Sequence, residues 1–71
     1  MKDLPNKLQR WTTTTAKGVR YGCRIIDGNN GKVIDVPGQI YKSRSGRRKW
    51  INKKLAADPE MIEEKINPPK K

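Results

Sequence analysis

From Val19 to Ile26 the chain alternates. Val19, Tyr21, Cys23 and Ile25 fill one set of positions, and Arg20, Gly22, Arg24 and Ile26 fill the other. A period of two marks a pleated strand, because successive side chains point to opposite faces. One face is apolar and the other carries two arginines, as expected for an antiparallel sheet covered on one side only. The rest of the chain must supply that cover from little material. Leu, Ile and Val number 13 of 71 residues, and Phe is absent. A domain of this length buries roughly 60% of the surface its unfolded chain exposes, so one small, marginally stable domain is expected.

The flanking segments supply the partners of this strand. Gln9 to Thr15 holds Trp11 and four consecutive threonines, and β-branched and aromatic residues favour a strand. Ala16-Lys17-Gly18 reads as a tight turn between the two. Asp27-Gly28-Asn29-Asn30-Gly31 gathers residues that tolerate positive φ and reads as a hairpin loop, followed by a third strand over Lys32–Val36. Pro37-Gly38 stops it, since Pro has no ladder N–H. A helix is expected from about Arg44 to Ala57, with Ser43 as N-cap and Ser45 as the second choice. Asp58-Pro59-Glu60 has the form of a second helix start, with Met61, Ile62 and Ile66 as a short apolar stripe. The expected fold class is α+β: a three-stranded antiparallel sheet with a C-terminal helix packed on one face and a short second helix. Residues 1–8 read as a flexible arm, 9–66 as the domain, and 67–71 as a disordered basic tail.

The absences limit the chemistry. With no His and a single Cys, the chain has no Cys/His zinc constellation, no Ser-His or Cys-His pair and no intramolecular disulfide. No general base with an orienting partner can be named. A non-enzymatic protein is therefore expected, without cofactor or metal. Glu63-Glu64 does not change this, because adjacent helical positions lie about 100° apart and do not converge on one ion. The acids from Asp58 to Glu64 are better read as complementing the dipole of the second helix. Cys23 alternates with Val19 and Tyr21 and is expected to be a small buried hydrophobe. Neither a signal-peptide core nor a run of about 18 apolar residues is present, so a cytoplasmic chain without membrane contact is expected.

Charge is what remains. Seventeen Lys and Arg face seven Asp and Glu, a net +10, and the excess is uneven. Residues 1–57 hold 14 basic and 3 acidic side chains, and residues 58–71 hold 3 and 4. The density peaks at Lys42, Arg44, Arg47, Arg48, Lys49, Lys53 and Lys54, a span without any acid. Lys49 and Lys53 point away from the Trp50-Ile51 stripe. Arg47 and Lys54 flank it, with stems that can cover the core edge while their charges reach solvent. A merely solvated helix exterior would gain i, i+4 pairs from interspersed acids; this cluster has none and repels itself. A polyanion relieves that cost, and nucleic acid does so by counterion release without a shaped pocket. On the sheet, Arg20 and Arg24 project from one face with Gly22 between them, suited to guanine edges or phosphates, and Lys17 sits at the adjoining turn. Trp50 is expected in the core. Trp11 is either a core residue or, on an open face, a stacking platform or partner anchor.

Two families share this layout. The span from Lys17 to Ala57 resembles the N-terminal three-strand-plus-helix domain by which tyrosine recombinases grip arm-type DNA sites. The matching residues are Gly18 to Tyr21, the Asp27 to Gly31 turn before Lys32, and Tyr41-Lys42-Ser43 followed nine and ten residues after Tyr41 by Trp50-Ile51. In those domains the open sheet face enters the major groove, which implies base contacts for Arg20 and Arg24. Nothing in the chain corresponds to the recombinase catalytic domain, so strand exchange is not expected of it. Gly31-Lys32-Val33-Ile34, six residues and then Tyr41-Lys42-Ser43 are also similar to the YegP-like family of small domains of unknown function. Both families place small or apolar residues near positions 47 and 54, where this chain has Arg47 and Lys54.

The expected function is nucleic-acid binding, with duplex DNA favoured, through Arg20, Arg24, Lys17, Lys42, Arg44, Arg47, Arg48, Lys49 and Lys53. The alternative is a small inhibitor or assembly factor that docks on an acidic protein surface. A homodimer through an exposed sheet edge is compatible with either.

Overall fold

A computed structural model describes residues 4–69. The elements are β1 (Lys7–Thr15), β2 (Gly18–Ile26), β3 (Val33–Asp35), α1 (Arg44–Ala57) and β4 (Ile62–Lys65). The class is α+β, with a four-stranded mixed sheet in the order β3-β2-β1-β4. The three expected strands pair antiparallel, and β4 adds to the far edge parallel to β1.

Two expectations are corrected here. No second helix follows Asp58. Asp58 is the C-cap of α1, its backbone N–H bonding to the Lys54 carbonyl, so Pro59 stands just past a helix end and opens none. The chain then returns to β1, where the Ile62 N–H bonds to the Asn6 carbonyl and the Ile66 N–H to the Arg10 carbonyl. The domain also begins earlier than Gln9: Lys7 and Leu8 open β1, and Leu8 is fully buried. Leu4 and Asn6, within the expected arm, are tied to the turn after β2. The Leu4 N–H donates to Asn29 Oδ1, and the Asn6 side-chain oxygen accepts from the Gly28 N–H. Of the expected tail, Lys70 and Lys71 lie outside the described residues, as do residues 1–3 of the arm.

Register sorts the side chains. Leu8 opposes Ile25, Arg10 opposes Cys23 and Thr12 opposes Tyr21 on the inner face; Gln9 opposes Arg24, Trp11 opposes Gly22 and Thr13 opposes Arg20 on the outer face. The core lies under α1 and consists of Leu8, Cys23, Ile25, Ile51 and Met61, with Tyr41, Trp50 and Leu55 packed around it. Ser43 caps α1 as expected, its side chain accepting from the Gly46 N–H at 3.2 Å.

Helix and β4 cover only the inner half of the long hairpin. Beyond Thr12 and Tyr21, where Tyr21 still exchanges backbone bonds with Tyr41, the β1–β2 pair continues as a two-stranded ribbon, and Thr14 to Val19 are exposed. The molecule measures 46 × 26 × 18 Å with a radius of gyration of 12.5 Å, against about 11 Å for a compact chain of this size.

Candidate nucleic-acid interface

The outer face of the β1–β2 hairpin carries Trp11, Arg20 and Arg24. Trp11 lies flat across Gly22, where any Cβ would land on the indole ring. Gly22 is there for that reason, and the close approach it permits is to Trp11 of the same sheet. One indole face is thus closed by β2, and the Arg24 guanidinium carbon lies 5.8 Å from the ring centroid. Arg24 is further held by a relay across three strands: its Nε donates to Gln9 Oε1 at 2.8 Å, and Gln9 Nε2 donates to Glu64 Oε1 at 2.8 Å. The relay fixes the arginine while leaving both of its Nη groups without a protein partner among the described residues. Arg20 donates Nη1 to the Val19 carbonyl at 3.0 Å. Lys17 is exposed at the ribbon turn. No Asp or Glu occurs from Leu4 to Ile26, so nothing on the hairpin itself offsets these charges.

The helix residues divide. Lys42, Arg44, Lys49 and Lys53 are exposed. Lys54 is bound to Asp35 at 2.7 Å, with its ammonium 5.3 Å from the Trp50 ring. Arg48 makes a two-pronged contact with Glu63, at 2.9 and 3.1 Å, which the reading of 58–66 as a helix concealed. Glu63 and Glu64 point to opposite faces of β4, Glu63 inward to Arg48 and Arg10, Glu64 outward to Gln9. They are not a helix-dipole pair. The bonds from Arg48, then from Arg10, hold the Glu63 carboxyl below its ordinary value, although burial opposes them.

Arg47 requires a correction. It is only 7% exposed, and its guanidinium turns in against the sheet instead of extending along the core edge into bulk solvent. Its Nη1 donates to the Trp11 carbonyl oxygen at 3.0 Å, and its guanidinium carbon lies 5.1 Å from the Tyr21 ring centroid. Burial first, then repulsion from Arg10, Arg48 and Arg44, lowers its pKa. It is removed from the set of freely exposed contacts.

Sequence reasoning missed Arg10 and Lys65. Both line a cleft of about 520 Å³ between the start of α1 and the inner face of the sheet, together with Thr12, Arg44, Ser45, Arg47 and Arg48. The only trace in the sequence was the alternation of Leu8, Arg10 and Thr12, which places Arg10 on the helix side once Leu8 is assigned to the strand.

No family model, no curated protein and no solved structure matches this chain.

Proposed function

We propose that this chain is a non-enzymatic nucleic-acid-binding module that favours duplex DNA. The observation that carries the reading is the open outer face of the acid-free β1–β2 hairpin, where Arg24 stands over the core and Arg20 on the part that projects past it. The major groove admits a two-stranded ribbon, and arginine is the side chain that pairs with guanine edges. On this reading Arg20 and Arg24 meet bases and the exposed threonines and Lys17 follow the groove walls, while Arg44, Lys49 and Lys53, on α1 behind the sheet, add long-range attraction and not contacts in the same groove. The resemblance of residues 17–57 to arm-site domains points the same way. Anisotropy of labelled duplex and single-stranded oligonucleotides across a salt series tests it.

A second reading rests on a different surface. Val33, Ile34, Val36 and Ile40 are 49–56% exposed along the β3 side, an apolar strip that DNA binding does not use. It supports a protein contact, either an acidic partner or a second copy at the β3 edge, and sedimentation separates a dimer from a monomer.

A further inference from the structure

The cleft behind the ribbon gathers five cations from three elements: Arg10 from β1, Arg44, Arg47 and Arg48 from α1, and Lys65 from β4. One carboxylate answers them, Glu63, bound at once to Arg10 and Arg48. Concentrated like charge of this kind opposes the compact state, and the Glu63 pairs offset only part of it. The helix adds to the imbalance. Its first turn carries no acid, and its free N–H groups place a further partial positive charge beside Arg44, Arg47 and Arg48. More cations gather here than the Glu63 pairs and the Trp11 carbonyl engage, an imbalance that marks a binding site.

Arg47 gives the cleft its direction. More than nine-tenths of it is buried, and Nη1 is engaged by the Trp11 carbonyl. The remaining guanidinium N–H groups have no partner among the described residues, yet no fully buried side-chain nitrogen lacks one. Those groups therefore open into the cleft that Arg47 lines. Planar forks from several directions suit an anion with several acceptor oxygens and more than one negative charge. A cleft of about 520 Å³ also leaves room beside the anion for the group that bears it.

We propose that this cleft is a phosphate site, in which Arg47 forms the floor and Arg10, Arg44, Arg48 and Lys65 form the walls. That nucleic acid supplies the phosphate rests on the reading given above; the site itself does not. It would seat a phosphate behind the ribbon while the outer face reads the groove, anchoring the domain from both sides of one sheet.

The test uses the whole chain, with inorganic phosphate as the first probe. Arginine Nε–Hε resonances are followed as sodium phosphate replaces sodium chloride at matched ionic strength. In the unaltered chain, the Arg10 and Arg47 signals should shift saturably with phosphate and not with chloride. The pair Arg44→Gln/Lys65→Gln, both exposed, should weaken that response at least tenfold. The pair Lys7→Gln/Lys32→Gln, with the same loss of charge away from the cleft, should leave it intact. Equal responses to the two salts, or equal losses in the two double variants, would overturn the site. Duplexes with and without a 5′-phosphate then identify the source. Tighter binding of the phosphorylated ends, lost in the cleft variant, assigns a terminal phosphate; a flatter salt dependence in the cleft variant with either duplex assigns the backbone. Saturable phosphate binding with no oligonucleotide binding would sustain the cleft and defeat the nucleic-acid reading.

Discussion

Arg47 Nη1 donates to the main-chain carbonyl oxygen of Trp11 at 3.0 Å, tying the first turn of α1 to the strand whose side chain crosses Gly22 on the opposite face. This bond joins the covered half of the hairpin to the open half. It also accounts for a charged residue on the buried side of the helix: the guanidinium is hydrogen-bonded and lies against Tyr21. A hydrogen bond to a charged group contributes about 1.5–3 kcal/mol. Arg47→Ala should therefore lower unfolding stability in urea by about 2 kcal/mol, a large share for a domain this small. Lys53→Ala, at an exposed position, should change it by less than about 0.5 kcal/mol. Equal effects would show that Arg47 contributes no more than a surface charge.

Glu63 makes the fold sensitive to acid. Its carboxyl is held below the ordinary 4.5 by Arg48 and then Arg10, so the unfolded chain takes up its proton first as pH falls. The stabilisation is present above the ordinary value and is lost as pH drops through the lower folded value. Thermal midpoints measured from pH 7 down to about pH 2 should fall on the acid side, and Glu63→Gln should flatten that limb. A variant curve parallel to the original would place the acid sensitivity elsewhere.

Cys23 faces the core beneath α1, 3% exposed. Burial pushes its thiol up to about 11 from 9.0, with Arg47 pulling the other way. Only the thiolate reacts, so at pH 8 the folded chain should react with an aromatic disulfide reagent about 100-fold more slowly than the unfolded chain, from ionisation alone. Comparable rates with and without denaturant would mean that the core opens around β2.

Gly22 sets the pose of Trp11. Gly22→Val places carbon where the indole lies, and the ring must lift away together with its contact to Arg24. The Trp11 indole N–H resonance should move while that of Trp50, on the helix side, stays in place. DNA affinity should fall although the net charge is unchanged. Unmoved indole signals would contradict the packing of Trp11 on Gly22.

What the sequence made legible follows from how local each signal is. The alternation from Val19 to Ile26 marks β2 and its arginine-bearing face, and Ser43 as the preferred N-cap marks the start of α1. Both are read within one element. Strand β4 was hidden because Asp58-Pro59-Glu60 satisfies the rules for a helix start as well as for a helix end, and Ile62 is its only strong strand former. Its partner, β1, lies about 55 residues away in sequence. Leu8 was missed as core because the residues before it are polar and show no period. With β4 and Leu8 went Lys65 and Arg10, hence the cleft. Arg47, expected at the edge of the Trp50-Ile51 stripe, is buried with Ile51 on the inner face of α1. The carbonyl that draws it inward belongs to a residue 36 positions earlier, which helix periodicity cannot show.

The central claim is that the outer face of the acid-free β1–β2 hairpin binds a nucleic-acid duplex, and salt-resolved anisotropy measures that directly. With about six phosphates neutralised, log affinity for a duplex should fall against log salt with a slope near −5, and the duplex should bind more tightly than either single strand. Arg20→Ala/Arg24→Ala should reduce binding to a preferred site more than to arbitrary sequence. Absence of duplex binding even at low salt would contradict the account.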